Sequence, residues 1–348
     1  MKADGFEDKV VNSRLQYLNE KAITMILDTI FLLVGLAMII YGADFLTNGA
    51  STVAKRFGLS DLVVGLTIVA FGTSAPEFAI SVISAVQGSP GLAIGNVVGS
   101  NIANTLLIVG VVAMVSPIAI QKSIMVNEIP LTILAAVALA AIYSSPWLGG
   151  GESVISRADG ILLLLFFMIF MRYVFAQAKK EEETTETQGK GNPAKPQAIW
   201  KSIALIAVGL TGLVWGGDIF VDKASSIAGS LGVSDTIVGL TIVALGTSLP
   251  ELATSVIAAA KGNPGIALGN VIGSNTFNIF MVLGCAAVVR PLPFAGVTPA
   301  DMITLVGSAL LFWLCGWKFG TRTITRPEGA VMTLCYVGYI TYLVITAA

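Results

Sequence analysis

The chain has no histidine and only three cysteines in 348 residues. Histidine is the commonest proton carrier near neutral pH and the commonest transition-metal ligand, so an HExxH metalloprotease is excluded outright. Cys285, Cys315 and Cys335 stand in apolar runs without a CxxC spacing and read as small buried hydrophobes. Charge is scarce too. Only 12% of residues are Asp, Glu, Lys or Arg, about half the share in ordinary soluble domains. With a net charge of −1 there is no basic stripe to meet a nucleic-acid backbone. No GxxxxGK[ST] motif occurs, and the longest polar connection is too short to fold a nucleotide domain, which excludes an ion-pumping ATPase.

What remains is apolar: 55% of residues are hydrophobic and the mean hydropathy is +0.84. Runs such as Ile26–Ile40 and Ile161–Phe170, and the C-terminal run from Val331, approach or reach the roughly 20 residues that carry a helix across a bilayer. No barrel-like alternation is visible. An all-α integral membrane protein follows, and Gly, Pro and charge divide it into ten predicted helices. They lie near 25–54, 60–86, 90–115, 127–145, 154–176, 199–229, 234–260, 264–289, 299–317 and 329–346. Residues 1–24 read as a polar N-terminal tail without the apolar core of a signal peptide, and Met25, opening onto the first apolar run, is a candidate natural start. The stretch 177–198, rich in Glu, Thr, Lys, Gly and Pro, reads as a solvated linker between five-helix halves at 25–176 and 199–348.

Lysine and arginine fix an orientation. With both termini outside, the cytoplasmic loops hold Lys55, Arg56, Lys122, Lys179, Lys180, Lys261 and Arg322 among others, whereas the outer loops keep Arg157, Lys223 and Arg290 besides the tail. The linker is then cytoplasmic, and the protein is expected in the cell membrane as a multi-pass chain.

One block occurs twice. Residues 58–110 return as 232–284, an offset of 232 − 58 = 174, with roughly three-fifths of positions identical. Five crossings per half put the two copies upside down relative to one another, as in secondary transporters. The duplicated block is also where the polar residues are. Gly72-Thr73-Ser74-Ala75-Pro76-Glu77 recurs as Gly246-Thr247-Ser248-Leu249-Pro250-Glu251 within otherwise apolar helices. Proline breaks the helical ladder, so the carbonyls of about Ala70 to Thr73 and Ala244 to Thr247 are expected to be partly free. Glu77 and Glu251 are costly in a membrane without a partner, and the basic residues fall at loops or helix ends. A bound cation or a proton would then supply the compensating charge.

On the following helix Asn96, Ser100 and Asn104 form one polar stripe, repeated by Asn270, Ser274 and Asn278. Beside it, Gly91, Gly95 and Gly99, matched by Gly265, Gly269 and Gly273, permit close approach to the Glu-bearing helix. The donor set is carboxylate, amide, hydroxyl and carbonyl oxygen, which suits Ca²⁺ or Na⁺ better than Mg²⁺. Asp44 and Asp218 repeat at the same offset nearer the ends of the first and sixth helices, where an interfacial or gating role is favoured over ligation.

The paired motifs GTSAPE with GNVVGSNIAN and GTSLPE with GNVIGSNTFN resemble the repeats of the sodium/calcium exchanger family, prokaryotic type. That resemblance implies two inverted five-helix repeats with broken helices at the ion site, and a secondary active antiporter exchanging Ca²⁺ for Na⁺ by alternating access. It implies no enzymatic activity and no cofactor beyond the transported ions, with the lipid bilayer as the surrounding partner and neither nucleic acid nor nucleotide bound. The ligands it implies are Glu77 and Glu251 as shared carboxylates, Thr73, Ser74, Thr247 and Ser248 beside them, Ser100 and Ser274, the carbonyls of Ala70 and Ala244, and Asn104 and Asn278. Potassium-dependent relatives place Asp where Asn278 stands, so the resemblance implies potassium independence. A Ca²⁺/H⁺ antiporter is the alternative.

Overall fold

Prolines that cannot continue one helix open the next. Pro76, Pro90, Pro250 and Pro264 each stand in the first turn of a helix, where the missing N–H would have had no partner. Gly88 and Gly262, at φ 82° and 79°, turn the chain just before Pro90 and Pro264. The computed structural model describes residues 4–149, 151–187, 199–232, 244–317 and 322–347. Its helices are α1 (Asp4–Phe57), α2 (Asp61–Thr73), α3 (Ala75–Gln87), α4 (Pro90–Val115), α5 (Ile124–Tyr143) and α6 (Arg157–Thr187). There follow α7 (Ile199–Ser230), a helical turn at Ala244–Gly246, α8 (Leu249–Ala260), α9 (Pro264–Val289), α10 (Pro299–Trp317) and α11 (Arg326–Ala347).

Among the described residues, eight helices are long and apolar enough to cross a membrane, and α2 with α3, bent by 47°, makes a ninth if counted as one span. The helix expected over 234–260 is described from Ala244 onward, and its first ten positions lie outside the described residues. Two helices run past the ends expected for them. α1 passes Met25 without a break, because no proline or glycine interrupts Phe6–Val34. α6 continues past 176 to Thr187 through Ala, Gln, Lys and Glu, all good helix formers, so the first half of the expected linker is helical.

Two pairings lie below any periodic signal in the sequence. β1 (Ile118–Ala119) pairs antiparallel with β4 (Thr323–Ile324), and β2 (Val154–Ile155) with β3 (Leu292–Pro293). Each ties a connection of the first half of the chain to one of the second.

Burial decides which helices stand in the middle. The most apolar windows of α4 and α9 are 78% and 83% buried, against 17% for α1, α6 and α11. The outer helices expose Ile26, Phe31, Leu162, Ile169 and Leu334, which is what a chain solvated by hydrocarbon presents. α9 presses on α2 along its glycines: a Cβ at Gly269 would fall 2.9 Å from the Cα of Gly65, and one at Gly273 would fall 2.9 Å from the Cα of Leu66. The close approach expected of the glycine stripe is thus made across the two copies of the repeat. A Cβ at Gly91, in the first copy, would meet the carbonyl of Ala295, and most of the segment 235–247, which corresponds to α2 by the repeat offset, lies outside the described residues. α1 and α7 likewise meet through Gly42 and Gly209, where a Cβ at Gly42 would come within 2.8 Å of the Gly209 carbonyl.

Candidate cation site

The break in each duplicated helix falls at a serine. Ser74 (φ −84°, ψ 8°) and Ser248 (φ −89°, ψ 3°) leave helical geometry one residue before α3 and α8. That puts Glu77 and Glu251 in first turns, where the helix dipole favours a negative charge. Neither carboxylate has any exposed surface.

Contacts among the duplicated polar residues join one copy to the other. The Ser74 hydroxyl donates to Glu251 Oε1 at 2.9 Å, and the Thr73 hydroxyl donates to Asn270 Oδ1 at 3.0 Å. Ser100 donates to Glu77 Oε1 at 3.4 Å and lies 3.5 Å from the Thr247 hydroxyl, which donates to Asn96 Oδ1 at 3.4 Å. Asn96 and Asn270 act alike: the amide of Asn96 donates to the Glu77 carbonyl at 3.3 Å and to Ser81 at 3.0 Å, and that of Asn270 to the Glu251 carbonyl and Ser255 at the same two distances. They clamp the Glu-bearing helix to its successor, with their donors and acceptors already occupied by protein.

A second set of oxygens has no protein partner. Glu77 Oε2, Glu251 Oε2, Ser248 Oγ, Ser274 Oγ, Asn278 Oδ1 and both polar atoms of Asn104 are buried without a hydrogen bond. Buried polar atoms are ordinarily paired, and leaving one unpaired costs about 1–3 kcal/mol. Six unpaired oxygens on side chains of one duplicated motif, two of them carboxylate, suit a hard cation. Among the described residues no group of three His, Cys, Asp or Glu is assembled, so the amides and hydroxyls would have to complete any shell.

The backbone carbonyls have protein contacts of their own. The Ala70 carbonyl accepts the Ser74 N–H at 3.0 Å and the Thr73 hydroxyl at 3.5 Å. Pro76 lacks the N–H that would reach the carbonyl four residues earlier, which belongs to Gly72. In the second copy the Ser248 N–H turns to the Leu245 carbonyl at 3.1 Å, so Ala70 and Ala244 are not handled alike.

The family model for the sodium/calcium exchanger protein matches residues 27–176 and 201–345. The chain belongs to the sodium/calcium exchanger family. Sodium/calcium exchanger MaX1 of Methanosarcina acetivorans is 34% identical over 346 residues, covering 90% of this chain and 97% of that protein. Inner membrane protein YrbG of Escherichia coli is 35% identical, covering 92% and 96% respectively. Among solved structures, the sodium-calcium exchanger NCX_Mj soaked with zero Na⁺ and Ca²⁺ superposes with a TM-score of 0.76 at 34% identity, covering 92% of this chain and 99% of the other.

For this exchanger the sequence motifs missed three residues between the two middle helices. Asn101, Asn275 and Thr105 are buried and hydrogen-bonded to one another, and Asn101 also holds Asn278. For Asn101 and Asn275 the signal was present in the GSN shared by both copies, one residue past Ser100 and Ser274, whereas Thr105 has no hydroxyl counterpart in the repeat.

Asp44 and Asp218 have different surroundings. Lys261 donates to Asp44 at 2.5 Å and to Asn48 Oδ1 at 2.8 Å, tying α1 to the residue that follows α8. Asp218 instead lines a cavity of about 370 Å³ together with Pro76, Asp222, Thr247 and Pro250. The Asp44–Lys261 pair is partly exposed, so Lys261→Gln is expected to lower stability by less than about 1 kcal/mol in thermal unfolding of the detergent-solubilised protein.

Proposed function

We propose that this member of the family is a secondary antiporter that exchanges Ca²⁺ for Na⁺ by alternating access, without a requirement for K⁺. The observation that carries the reading is the set of unpaired buried oxygens on Glu77, Glu251, Ser248, Ser274, Asn104 and Asn278. With Thr73, Ser74, Ser100 and Thr247 hydrogen-bonded around them, they would supply an all-oxygen shell to a dehydrated cation. The carbonyls of Ala70 and Ala244 would then be supplementary. Two carboxylates balance one Ca²⁺, and Na⁺ ions compete for the same oxygens, so one cargo excludes the other. That exclusion is what couples the two fluxes.

The architecture proposed around the cage is ten crossings in two inverted five-helix repeats, 25–176 and 199–348, joined across 177–198. Contacts that recur at an offset of 174, such as those of Asn96 and Asn270, support it. In the cell membrane both termini would face outward and the connection at 177–198 would face the cytoplasm. The cavity beside Thr247 is then an outer access route to the cage. No catalytic role or cofactor is needed, since the ions are cargo.

Proteoliposomes test the coupling. Vesicles loaded with Na⁺ are expected to take up radiolabelled Ca²⁺ from Na⁺-free medium, with uptake unchanged by added K⁺. Equal uptake driven by a pH gradient in the complete absence of Na⁺ would establish the Ca²⁺/H⁺ antiporter instead.

A further inference from the structure

The hydrogen bonds that hold Asn278 run through a residue with no place in the cage. Asn101 Nδ2 donates to the backbone carbonyl of Asn275 at 3.1 Å, and Asn101 Oδ1 accepts from Asn278 Nδ2 at 3.1 Å. All three residues are at most 2% exposed. A carbonyl can only accept, so the Asn101 atom that faces Asn275 has to be the amide nitrogen, which leaves the oxygen facing position 278. That oxygen requires a donor from 278. Asn278 supplies Nδ2, and its own Oδ1 is left buried and without a protein partner.

The equivalent bond in the other copy is not made. The counterparts of Asn101 and Asn278 are Asn275 (101 + 174) and Asn104 (278 − 174). Asn275 Nδ2 donates to Thr105 Oγ1 at 2.8 Å, and the Thr105 hydroxyl donates to the Asn101 carbonyl at 2.8 Å. Asn275 Oδ1 and both polar atoms of Asn104 remain unpaired. The difference follows from one position of the repeat: the counterpart of Thr105 is Ile279, which has no hydroxyl to relay such a bond.

We infer that Asn101 is a positioning residue that fixes position 278 as a neutral amide with its oxygen turned toward the cation, so that the two halves of the cage are unequal. The inference rests on the proposed cage and sharpens it. Asn278 is a held ligand, whereas no hydrogen bond from the protein sets the orientation of the Asn104 amide until a cation does. The charge of the cage is also set from outside it, since a carboxylate at 278 would place its oxygen against Asn101 Oδ1, which the Asn275 carbonyl prevents from turning away.

Titrating the purified full-length protein with CaCl₂ in Na⁺-free detergent buffer, followed by calorimetry, tests this through a double-mutant cycle. Asn101→Leu is expected to weaken Ca²⁺ binding about tenfold when Asn278 is present, the value of one oriented hydrogen bond. In an Asn278→Ala background the same change is expected to cost less than about twofold, because Asn101 has nothing left to act through. An equal loss in both backgrounds would assign Asn101 a purely structural role and overturn the inference, as would no loss in either. Should Asn101→Leu fail to fold, Asn278→Asp decides alone: it is expected to bind Ca²⁺ more weakly than the wild type despite its extra negative charge, and equal or tighter binding overturns the inference. Failure of the wild type to bind Ca²⁺ would remove the cage itself, and this reading with it.

Discussion

Glu77→Gln is expected to abolish Na⁺-dependent Ca²⁺ uptake into proteoliposomes while leaving a folded protein. The substitution keeps shape, so the contact from Ser100 to Oε1 survives. What changes is the second carboxylate oxygen, now unpaired and buried, which becomes an amide nitrogen that carries hydrogens and cannot ligate a cation. One Ca²⁺ would then face a single carboxylate. Removing one partner of a buried charge pair costs about 3–5 kcal/mol, which corresponds to more than about a hundredfold in affinity. Glu251→Gln is expected to do the same, because Glu251 presents its own Oε2 unpaired while Ser74 holds Oε1. Unaltered elution and thermal unfolding in detergent, together with lost uptake, would locate the defect in the site. Uptake within a few-fold of wild type in either variant would remove the shared-carboxylate cage.

The second large effect is mechanical. Gly269→Val is expected to lower the yield of folded protein severely and to leave any survivors inactive. A Cβ there would lie 2.5 Å from the Leu62 carbonyl and 2.9 Å from both the Gly65 Cα and the Leu66 nitrogen, all backbone atoms of α2 that no rotamer change can move. Overpacking of this kind costs about 1–3 kcal/mol or more, and relief requires α9 to draw away from α2. Asn270 is the next residue, so the same displacement loosens its bonds to Thr73, Ser255 and the Glu251 carbonyl. Gly265→Ala makes the graded comparison: its Cβ would meet Asp61 Cβ at 3.0 Å and the Leu62 nitrogen at 3.3 Å, a contact that small shifts absorb. Size-exclusion profiles of the two variants in detergent would rank them, and equal yields would show that the α2–α9 approach does not limit folding.

Much of this site is readable in one dimension because of the duplication. Glu77 and Glu251 are intramembrane carboxylates without a nearby basic residue in sequence, and the second copy makes chance an inadequate account of the first. Helix ends were legible where Pro or Gly marks them, as at Pro90 and Gly88, and illegible where good helix formers run on, as at Met25 and beyond 176. The paired strands at 118–119 and 323–324 were out of reach, since two residues carry no period.

By itself the sequence determined the class of molecule, the duplicated polar block and the oxygen chemistry of its candidate ligands, because composition, repetition and residue type are properties of the chain alone. Only the tertiary structure decided how those oxygens are shared. Ser74 reaches Glu251, Thr73 reaches Asn270, the Ala70 carbonyl is taken by its own helix, and Asn101 holds Asn278 while Asn104 goes unheld. The bonds of Ser74, Thr73 and Asn101 depend on which atoms two distant segments bring within about 3 Å of one another, and no local pattern encodes that distance.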